Sequence, residues 1–525
     1  MNACDSLLES PRNPMAVPYA LPKICVSIGH RSASRFAALA LESCDHGETF
    51  IELRIDMLAD PSAGRKIVKR ILRRHPDVTI LATCRRQGNG GDFLGSVDQQ
   101  VAVLRHAVQA GASIVDLELE TLEQDCRSLE PFAGKASTLA SYHNFERTPQ
   151  LGPVVRRLER TGANIYKVAT TVRRPSDNLK LLALCDSHSN MVLAGMGPSG
   201  APTRLLSPSR GGLFTYAAPD PLAVRGATRR TPFKAEPTAP GQILASDMRR
   251  LYRVPTSRTA TKAFAVIAKP VGHSLSPLIH NRAFKARRFD GIYVPLQVEP
   301  GHLRNFFETM RELPFSGASV TIPHKQGVIR YLDSLCPLAR GIGAVNTIYW
   351  KRGKLLGTNT DALGVSGPLG RLIKLNSSRV LVVGNGGAAK AAIVAVKQQG
   401  ADVTVTGRDP RRVLRLARFH GVRHTPFERL GDDYFDVLIQ STPVGMLPKV
   451  EGNLFPERIP ADIVYDLVYN PLETALLKHA AAEGKVVISG VEMFVEQAAE
   501  QFQIWTGLDA PRELMRTAVL QRTVN

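Results

Sequence analysis

Two lysines and their polar neighbours hold most of the chemistry that this sequence of 525 residues can offer. The first is Lys167, in the run Ile165-Tyr166-Lys167-Val168-Ala169, where the neighbours suit a protein interior and a cation does not. Alone, such a lysine is read as one that lays its stem along apolar surface or pairs with an acid. His143, in Ser141-Tyr142-His143-Asn144-Phe145, changes that reading, because the two runs form adjacent predicted strands whose side chains approach one mouth. A desolvated lysine can condense with a ketone to an imine, and a histidine beside it can then move protons. Arginines stand at other strand ends: Arg54 in Glu52-Leu53-Arg54-Ile55-Asp56, Arg85 in Thr83-Cys84-Arg85, and Arg204 after Gly200-Ala201-Pro202-Thr203. A surface ion pair explains any one of them, but several gathered at one mouth imply a carboxylate substrate.

The second lysine, Lys325, belongs to three polar clusters: Gly272-His273-Ser274-Leu275-Ser276-Pro277, Ser319-Val320-Thr321-Ile322-Pro323-His324-Lys325, and Asn346 with Asp361. Each has an ordinary explanation, since Ser-Pro starts helices, Lys325 could be solvated in a first turn, and Asp361 could cap a helix. Together they follow strands of one small α/β unit and can converge on one crevice. A lysine and an aspartate beside hydroxyls suit reversible oxidation of an alcohol, where a proton leaves or arrives as a hydride moves. Further on, Val380-Leu381-Val382-Val383-Gly384-Asn385-Gly386-Gly387-Ala388-Ala389-Lys390 places a glycine turn between a buried strand and a helix, which aims backbone N–H groups at a pyrophosphate. The next strand ends in Gly407-Arg408-Asp409-Pro410-Arg411-Arg412; an acid at that tip would fit NAD, whereas arginines fit the 2'-phosphate of NADP.

The elements that must position these groups are legible as short β-branched and apolar runs. The first half gives eight predicted strands, at 23–29, 49–56, 78–85, 113–120, 137–145, 164–172, 191–196 and 213–218, with helical patterns such as Val97 to Gln109 between them. Eight such repeats predict a (β/α)8 TIM barrel over 23–250, with its chemistry at the carboxyl ends of the strands. Residues 1–22 read as a flexible extension. The Pro-, Arg- and Thr-rich stretch from Asp220 to Pro240 reads as a long loop or insertion, and 251–261 as a linker. A second α/β series follows, predicted as a substrate-binding domain over 262–366, a Rossmann dinucleotide-binding domain over 367–490, and closing helices over 491–525.

Composition narrows the classes further. Apolar residues are 44% and charged residues 22%, and no run of about 18 apolar residues could cross a bilayer. The N-terminus has neither a secretory apolar core nor the character of a transit peptide. Seven scattered cysteines without close pairing suit a reducing cytoplasm. The formal charge is +20, but residues 1–260 carry 34 Lys and Arg against 24 acids and residues 261–525 carry 33 against 23. So even a spread fits attraction of small anionic substrates and argues against a nucleic-acid arm.

On these residues the first half resembles the type I 3-dehydroquinate dehydratases from about Lys23 to Gln242, with the ordered motifs ExR, TxR, SxHxF, a strand lysine, MGxxG followed by an arginine, and Ala239-Pro240-Gly241-Gln242. The resemblance implies that Lys167 forms an imine with 3-dehydroquinate, that His143 moves protons to give 3-dehydroshikimate and water, and that Ser27, Glu52, Arg54, Arg85, Arg204, Thr238 and Gln242 hold the substrate. Asn144 stands where the family usually has Asp and Thr238 where Ser is common, while the 220–236 insertion precedes a lid carrying Thr238 and Gln242.

The second half is similar to the shikimate dehydrogenases from Lys262 to about Arg522, through the clusters above and through Ile342 to Thr347, Thr442-Pro443-Val444-Gly445-Met446, Asp466 to Pro471 and Gly490 to Gln497. That similarity implies Lys325 as proton donor and acceptor, with Asp361 orienting it. Shikimate would bind at Ser274, Ser276, Thr321, Asn346, Tyr469 and Gln497, and NADP at Gly384, Asn385, Gly386, Gly387, Ala388, Thr406, Arg408, Arg411, Leu467 and Gly490. Ser319 replaces a frequent Asn, Asn385 a frequent Ala, and Asp409 a frequent Thr. Together the two resemblances imply a fused enzyme of the shikimate pathway that acts on small molecules, uses NADPH and needs no metal. A dehydrogenase half preferring quinate and NAD, and a non-catalytic protein keeping the fold, are the competing readings.

Overall fold

The computed structural model describes residues 21–221, 237–313, 315–430 and 433–523. The predicted N-terminal extension and the 220–236 insertion lie, apart from their edges, outside the described residues. Two compact units result, with the main boundary between Thr261 and Lys262.

All eight strands predicted for the first half are present: β1 (Ile24–Ile28), β2 (Phe50–Arg54), β3 (Thr79–Thr83), β4 (Ile114–Glu118), β5 (Ser137–Asn144), β6 (Ile165–Thr171), β7 (Met191–Met196) and β8 (Thr215–Ala217). They pair in parallel in the order β7-β6-β5-β4-β3-β2-β1-β8. The Leu213 N–H donates to Met191 O at 2.9 Å, which bridges the remaining seam and makes a nearly closed barrel, as expected. Side chains two apart on a strand share a face, and this period stacks the interior in layers. Cys25, Phe50, Leu81, Ile114, Leu139, Ile165 and Val192, one from each of seven strands, form an apolar floor with Phe214 and Tyr216. Two residues further along, the same faces carry Ser27, Glu52, Thr83, Asp116, Ser141 and Lys167, all buried. The polar layer therefore stands directly on the apolar one.

The stretch 251–261 departs from the expected linker. Tyr252 is buried and Val254 fully so, and Thr259 donates to Ser209 O at 3.0 Å, so apolar anchors fix this segment to the barrel unit.

The second unit holds two sheets. In the first, β9 (Lys262–Ala268), β10 (Gly291–Gln297), β11 (Phe315–Val320), β12 (Ser334–Leu335), β13 (Thr347–Lys351) and β14 (Lys354–Thr358) take the order β10-β9-β11-β13-β14-β12, with β13 antiparallel to both of its neighbours. In the second, β15 (Arg379–Val383), β16 (Asp402–Thr406), β17 (Arg423–His424), β18 (Phe435–Gln440), β19 (Ala461–Asp466) and β20 (Val486–Ile488) run parallel in the order β17-β16-β15-β18-β19-β20. That order reverses at β15, where a doubly wound sheet opens its crevice. The helix Gly490–Thr506 buries Val491, Phe494, Val495, Ala498 and Phe502 with Phe264 and Val266 of β9, so the closing helices return to the first sheet. Among the described residues, no helix is long and apolar enough to cross a membrane.

Gly490 starts that returning helix where it meets the loop after β19. A Cβ there would lie 2.4 Å from Val468 O and 2.7 Å from Leu467 C, both backbone atoms that cannot step aside. Gly490→Ala is therefore expected to destabilise the second unit by about 1–3 kcal/mol. Both tryptophans, Trp350 and Trp505, lie in this unit, so a urea titration followed by their fluorescence reads the change; an unaltered midpoint would contradict the close packing.

Candidate active sites

At the barrel mouth three carboxylates, Glu52, Asp56 and Asp116, and three cations, Arg54, Arg85 and Lys167, lie within electrostatic reach of one another. Lys167 Nζ lies 3.1 Å from Asp116 Oδ2 and 3.9 Å from Glu52 Oε1, and sits 4.3 Å above the Tyr216 ring. Arg85 Nη2 donates to the same Asp116 oxygen at 3.2 Å. Burial alone would raise the Asp116 carboxyl, but Lys167 and Arg85 outweigh it and hold the group below the usual carboxylate range. Glu52 accepts from Thr83 Oγ1 at 2.8 Å and from Ser27 Oγ. His143 leans over this layer from the end of β5, with its Nδ1 buried and unpartnered. Desolvation, then the charges of Arg85, Lys167 and Arg54, push its imidazole well below the ordinary value, so the ring is a neutral base.

The arginines expected at this mouth divide by their partners. Arg54 is committed to Asp56, at 3.0 Å through Nε and 2.7 Å through Nη2, and its remaining nitrogen makes a long 3.5 Å contact with Thr238 O. It thus steadies the lid segment. Arg204 is only 1% exposed and, among the described residues, meets carbonyls alone, Gly195 O at 2.8 Å and Pro240 O at 3.3 Å. Burial without an acid brings its guanidinium down to about 10. Thr238 Oγ1 meets Ser27 Oγ at 2.6 Å and Gln242 Oε1 at 3.2 Å, which ties the lid to the mouth. Asn144 has turned away: its Oδ1 accepts the Glu146 and Arg147 N–H groups at 3.0 and 2.9 Å, a turn that Asp would make equally well.

Asp116, Thr83 and Tyr216 escaped the sequence reading. Their signal was present, because Asp116 stands two residues from Ile114 in a strand otherwise read as buried.

In the second unit Lys325 Nζ lies 2.5 Å from Asp361 Oδ2. Asp361 is fixed in turn: its Oδ1 accepts from Asn346 Nδ2 at 2.8 Å, and its N–H donates to Asn359 Oδ1 at 3.0 Å at the start of the helix Asp361–Gly370. Gln497 Oε1 accepts a long 3.5 Å bond from Asn346, and Tyr469 stacks on Phe494 with ring centroids 4.5 Å apart. Ser274 Oγ accepts the Ser276 N–H at 3.3 Å, and Thr321 lines the cleft beside Lys325. Gln501 is the residue missed here, one turn beyond Gln497. It accepts from Ser319 Oγ at 2.8 Å and donates to Thr347 Oγ1 at 2.9 Å, while Tyr293 donates to Ser319 at 2.6 Å. Ser319 is thus the hub of a buried polar chain.

From Lys325 a cleft of about 1690 Å³ runs past Gly384, Asn385, Gly386, Gly387 and Ala388 to Arg408, Asp409 and Arg412. The residues fit a dinucleotide. Gly384 has φ +130°, and a Cβ on it would lie 2.4 Å from Ser441 Oγ, so the tight turn requires glycine. Nothing lies within 4 Å of where a Gly386 Cβ would be, which leaves the helix N-terminus open to an anion. Thr406 Oγ1 is buried without a partner at the same strand end. Leu467 and Gly490 meet each other, and neither is in the cleft lining. Arg412 stands in the lining where Arg411 was expected, and Arg411 is exposed outside it. Asp409 caps its helix, accepting the Arg411 and Arg412 N–H groups at 3.1 Å each, and lies 3.2 Å from Arg412 Nε.

A lysine and a neutral histidine in a barrel mouth, followed by a Lys–Asp pair facing a dinucleotide cleft, define a chain of two enzymes, a lyase and an oxidoreductase. Residues 24–258 match the family model for type I 3-dehydroquinase, 266–348 that for the shikimate dehydrogenase substrate binding domain, and 490–520 that for the shikimate 5'-dehydrogenase C-terminal domain. A chloroplastic bifunctional 3-dehydroquinate dehydratase/shikimate dehydrogenase of Arabidopsis thaliana is 34% identical over 519 residues, covering 94% of this chain and 83% of that protein. An NADP(+) shikimate dehydrogenase of Maridesulfovibrio salexigens is 40% identical over 265 residues, 50% of this chain and 97% of that protein. A solved Thermus thermophilus shikimate 5-dehydrogenase, in complex with NADP(H) and shikimate, shares 36% identity with a TM-score of 0.46 and covers 50% of this chain and 99% of that one. The chain belongs to the family of bifunctional 3-dehydroquinate dehydratase/shikimate dehydrogenases.

Because desolvation and three facing cations resist a proton on His143, its imidazole stays neutral as the medium acidifies. The acid limb of kcat/KM for dehydration is expected below the ordinary imidazole value of about 6.5. A limb at or above that value in a pH–rate series would assign the base to another group.

Proposed function

We infer that this chain converts 3-dehydroquinate to 3-dehydroshikimate and water at the barrel mouth, and reduces 3-dehydroshikimate to shikimate with NADPH at the second site. The observation that carries the reading is the pair of lysines, Lys167 and Lys325, each held by a buried aspartate and each in a polar cluster suited to a different reaction.

In the barrel, Lys167 Nζ bonds to the ketone carbon, and the carbonyl oxygen departs as water with two of the ammonium protons, leaving a protonated imine. Neutral His143 takes the proton from the adjacent carbon, and the electron pair runs into the imine. The hydroxyl on the next carbon then leaves as water with the proton that His143 returns, and hydrolysis frees Lys167. Arg204, a buried cation without an acid, is the anchor we assign to the substrate carboxylate, with Arg85, Ser27, Glu52, Thr238 and Gln242 around the ring hydroxyls. Arg54 acts through the lid.

In the second unit Lys325 gives the carbonyl oxygen its proton as the alcohol forms, and Asp361, fixed by Asn346 and Asn359, holds that ammonium in place. Ser274, Ser276, Thr321, Tyr469 and Gln497 surround the substrate. Bound NADPH would supply a hydride. Gly384 to Ala388 would hold its pyrophosphate, and Arg408 with Arg412 its 2'-phosphate. The engagement of Asp409 as a helix cap supports NADP over NAD, because that carboxylate is neutralised by N–H groups and Arg412 rather than offered to ribose hydroxyls. Cys25, Cys44, Cys84, Cys185 and Cys336 are free thiols, which fits a reducing compartment such as the cytoplasm.

The test is to follow NADPH absorbance with 3-dehydroquinate as the only substrate, which requires both reactions. Lys325→Ala is expected to abolish reduction and let 3-dehydroshikimate accumulate, and His143→Ala to stop dehydration while shikimate oxidation continues. Each loss should be about 10² to 10⁴ or more in the affected reaction. If either variant, still folded, silenced both reactions, one shared site would have to replace two. Arg408→Ala should raise KM for NADPH by the equivalent of about 1.5–3 kcal/mol. An equal rise for NADH would place Arg408 away from the 2'-phosphate.

A further inference from the structure

Asp116 is the acid closest to the nitrogen of Lys167, and the sequence motifs leave it without a role. Its side chain is 1% exposed, and one oxygen, Oδ2, takes both the 3.1 Å bond from Lys167 Nζ and the 3.2 Å bond from Arg85. Glu52 is further from Nζ, at 3.9 Å, and its oxygens already accept from Ser27 and Thr83. The titratable and charged groups facing Nζ are Glu52 from β2, Arg85 from the end of β3, Asp116 from β4, His143 from β5 and Tyr216 from β8, with Arg54 and Cys25 behind them.

We propose that Asp116 is the counterion that keeps the Lys167 imine protonated during dehydration. The proposal rests on the reading of Lys167 as the imine-forming residue. Condensation of an ammonium with a ketone gives an iminium and one water: two protons leave with the oxygen, one stays on nitrogen, and the positive charge stays at Nζ. Asp116 therefore faces the same charge before and after the imine forms, without moving. A neutral imine draws electrons weakly, so deprotonation of the neighbouring carbon depends on that charge being kept. Removal of the carbon-bound proton gives a neutral enamine, and expulsion of the hydroxyl restores the cation. The buried carboxylate favours both cationic states over the enamine between them, so that the enamine does not accumulate. With Lys167 and Asp116 both buried, solvent dipoles do this poorly in its place.

Cyanoborohydride reduces iminium and spares neutral imine, so the rate of adduct formation with 3-dehydroshikimate, read by mass on Lys167, reports the protonated fraction. For the wild-type chain trapping is expected to persist from about pH 6 to about pH 9. In Asp116→Asn the alkaline limb should fall by about one pH unit or more, an approximately tenfold loss of trapping at the alkaline end with much less at the acid end. Asp116→Glu, which keeps the charge, should hold its limb near the wild-type position. Shikimate oxidation by the same samples checks that the chain is intact. A wild-type chain giving no adduct on Lys167 would remove the reading beneath the proposal. An adduct in the wild type with Asp116→Asn lowered equally at every pH, or a Glu variant with a limb as low as that of Asn, would overturn the proposal itself and leave Asp116 a structural residue.

Discussion

An ammonium withdrawn from bulk water needs a carboxylate within a few ångströms, and that need organises the site in both units, with Lys167 buried and Lys325 half-buried in its cleft. Lys167 meets Asp116 at 3.1 Å, and Lys325 meets Asp361 at 2.5 Å. Leaving the buried Lys167 unpaired would cost several kcal/mol of desolvation, so its acid is as much a condition of folding as of chemistry. The barrel satisfies it through strand periodicity, which turns Asp116 inward beside Lys167 because Ile114 and Ile165 turn inward one layer below. The second unit satisfies it through a helix start, where Asn359 and Asn346 fix the Asp361 carboxylate.

Pairing also explains why similar residues serve differently. Three arginines look alike along the barrel strands, but Arg54 is spent on Asp56, Arg85 shares Asp116, and only Arg204 is left with carbonyls. The same logic separates Asp409 from an acid that reads a ribose: placed at a helix N-terminus, its charge is answered within its own turn.

Much of this was legible in the sequence because it rests on local pattern. The eight barrel strands, the glycine turn and the Lys325 and Asp361 clusters follow from runs of apolar residues and from turn chemistry. What escaped depends on contacts across strands or helices. Asp116 and Tyr216 acquire meaning only when β4, β6 and β8 are rolled into one barrel, and Gln501 only when the helix Gly490–Thr506 is laid against β11 and β13. The exchange of Arg411 for Arg412 in the cleft lining reflects one residue of helical rotation, about 100°, which motif matching cannot fix. Tyr252 and Val254 were hidden for a different reason, since two apolar anchors inside a polar, proline-containing stretch give no periodicity to detect.

The return of the helix Gly490–Thr506 to β9 has a consequence for synthesis on the ribosome. Barrel strands β1 to β7 each pair with their neighbours in sequence, so that sheet can zip up progressively as the polypeptide emerges. The reductase is built otherwise: Ser274 and Gln497 come from opposite ends of its unit, and Trp505 packs on Phe264, and Phe502 on Phe284, only when the last helices arrive. Nascent chains should therefore spend the translation of the second half with a finished lyase and an uncovered aromatic sheet face, and the interval in which chaperones matter most falls late.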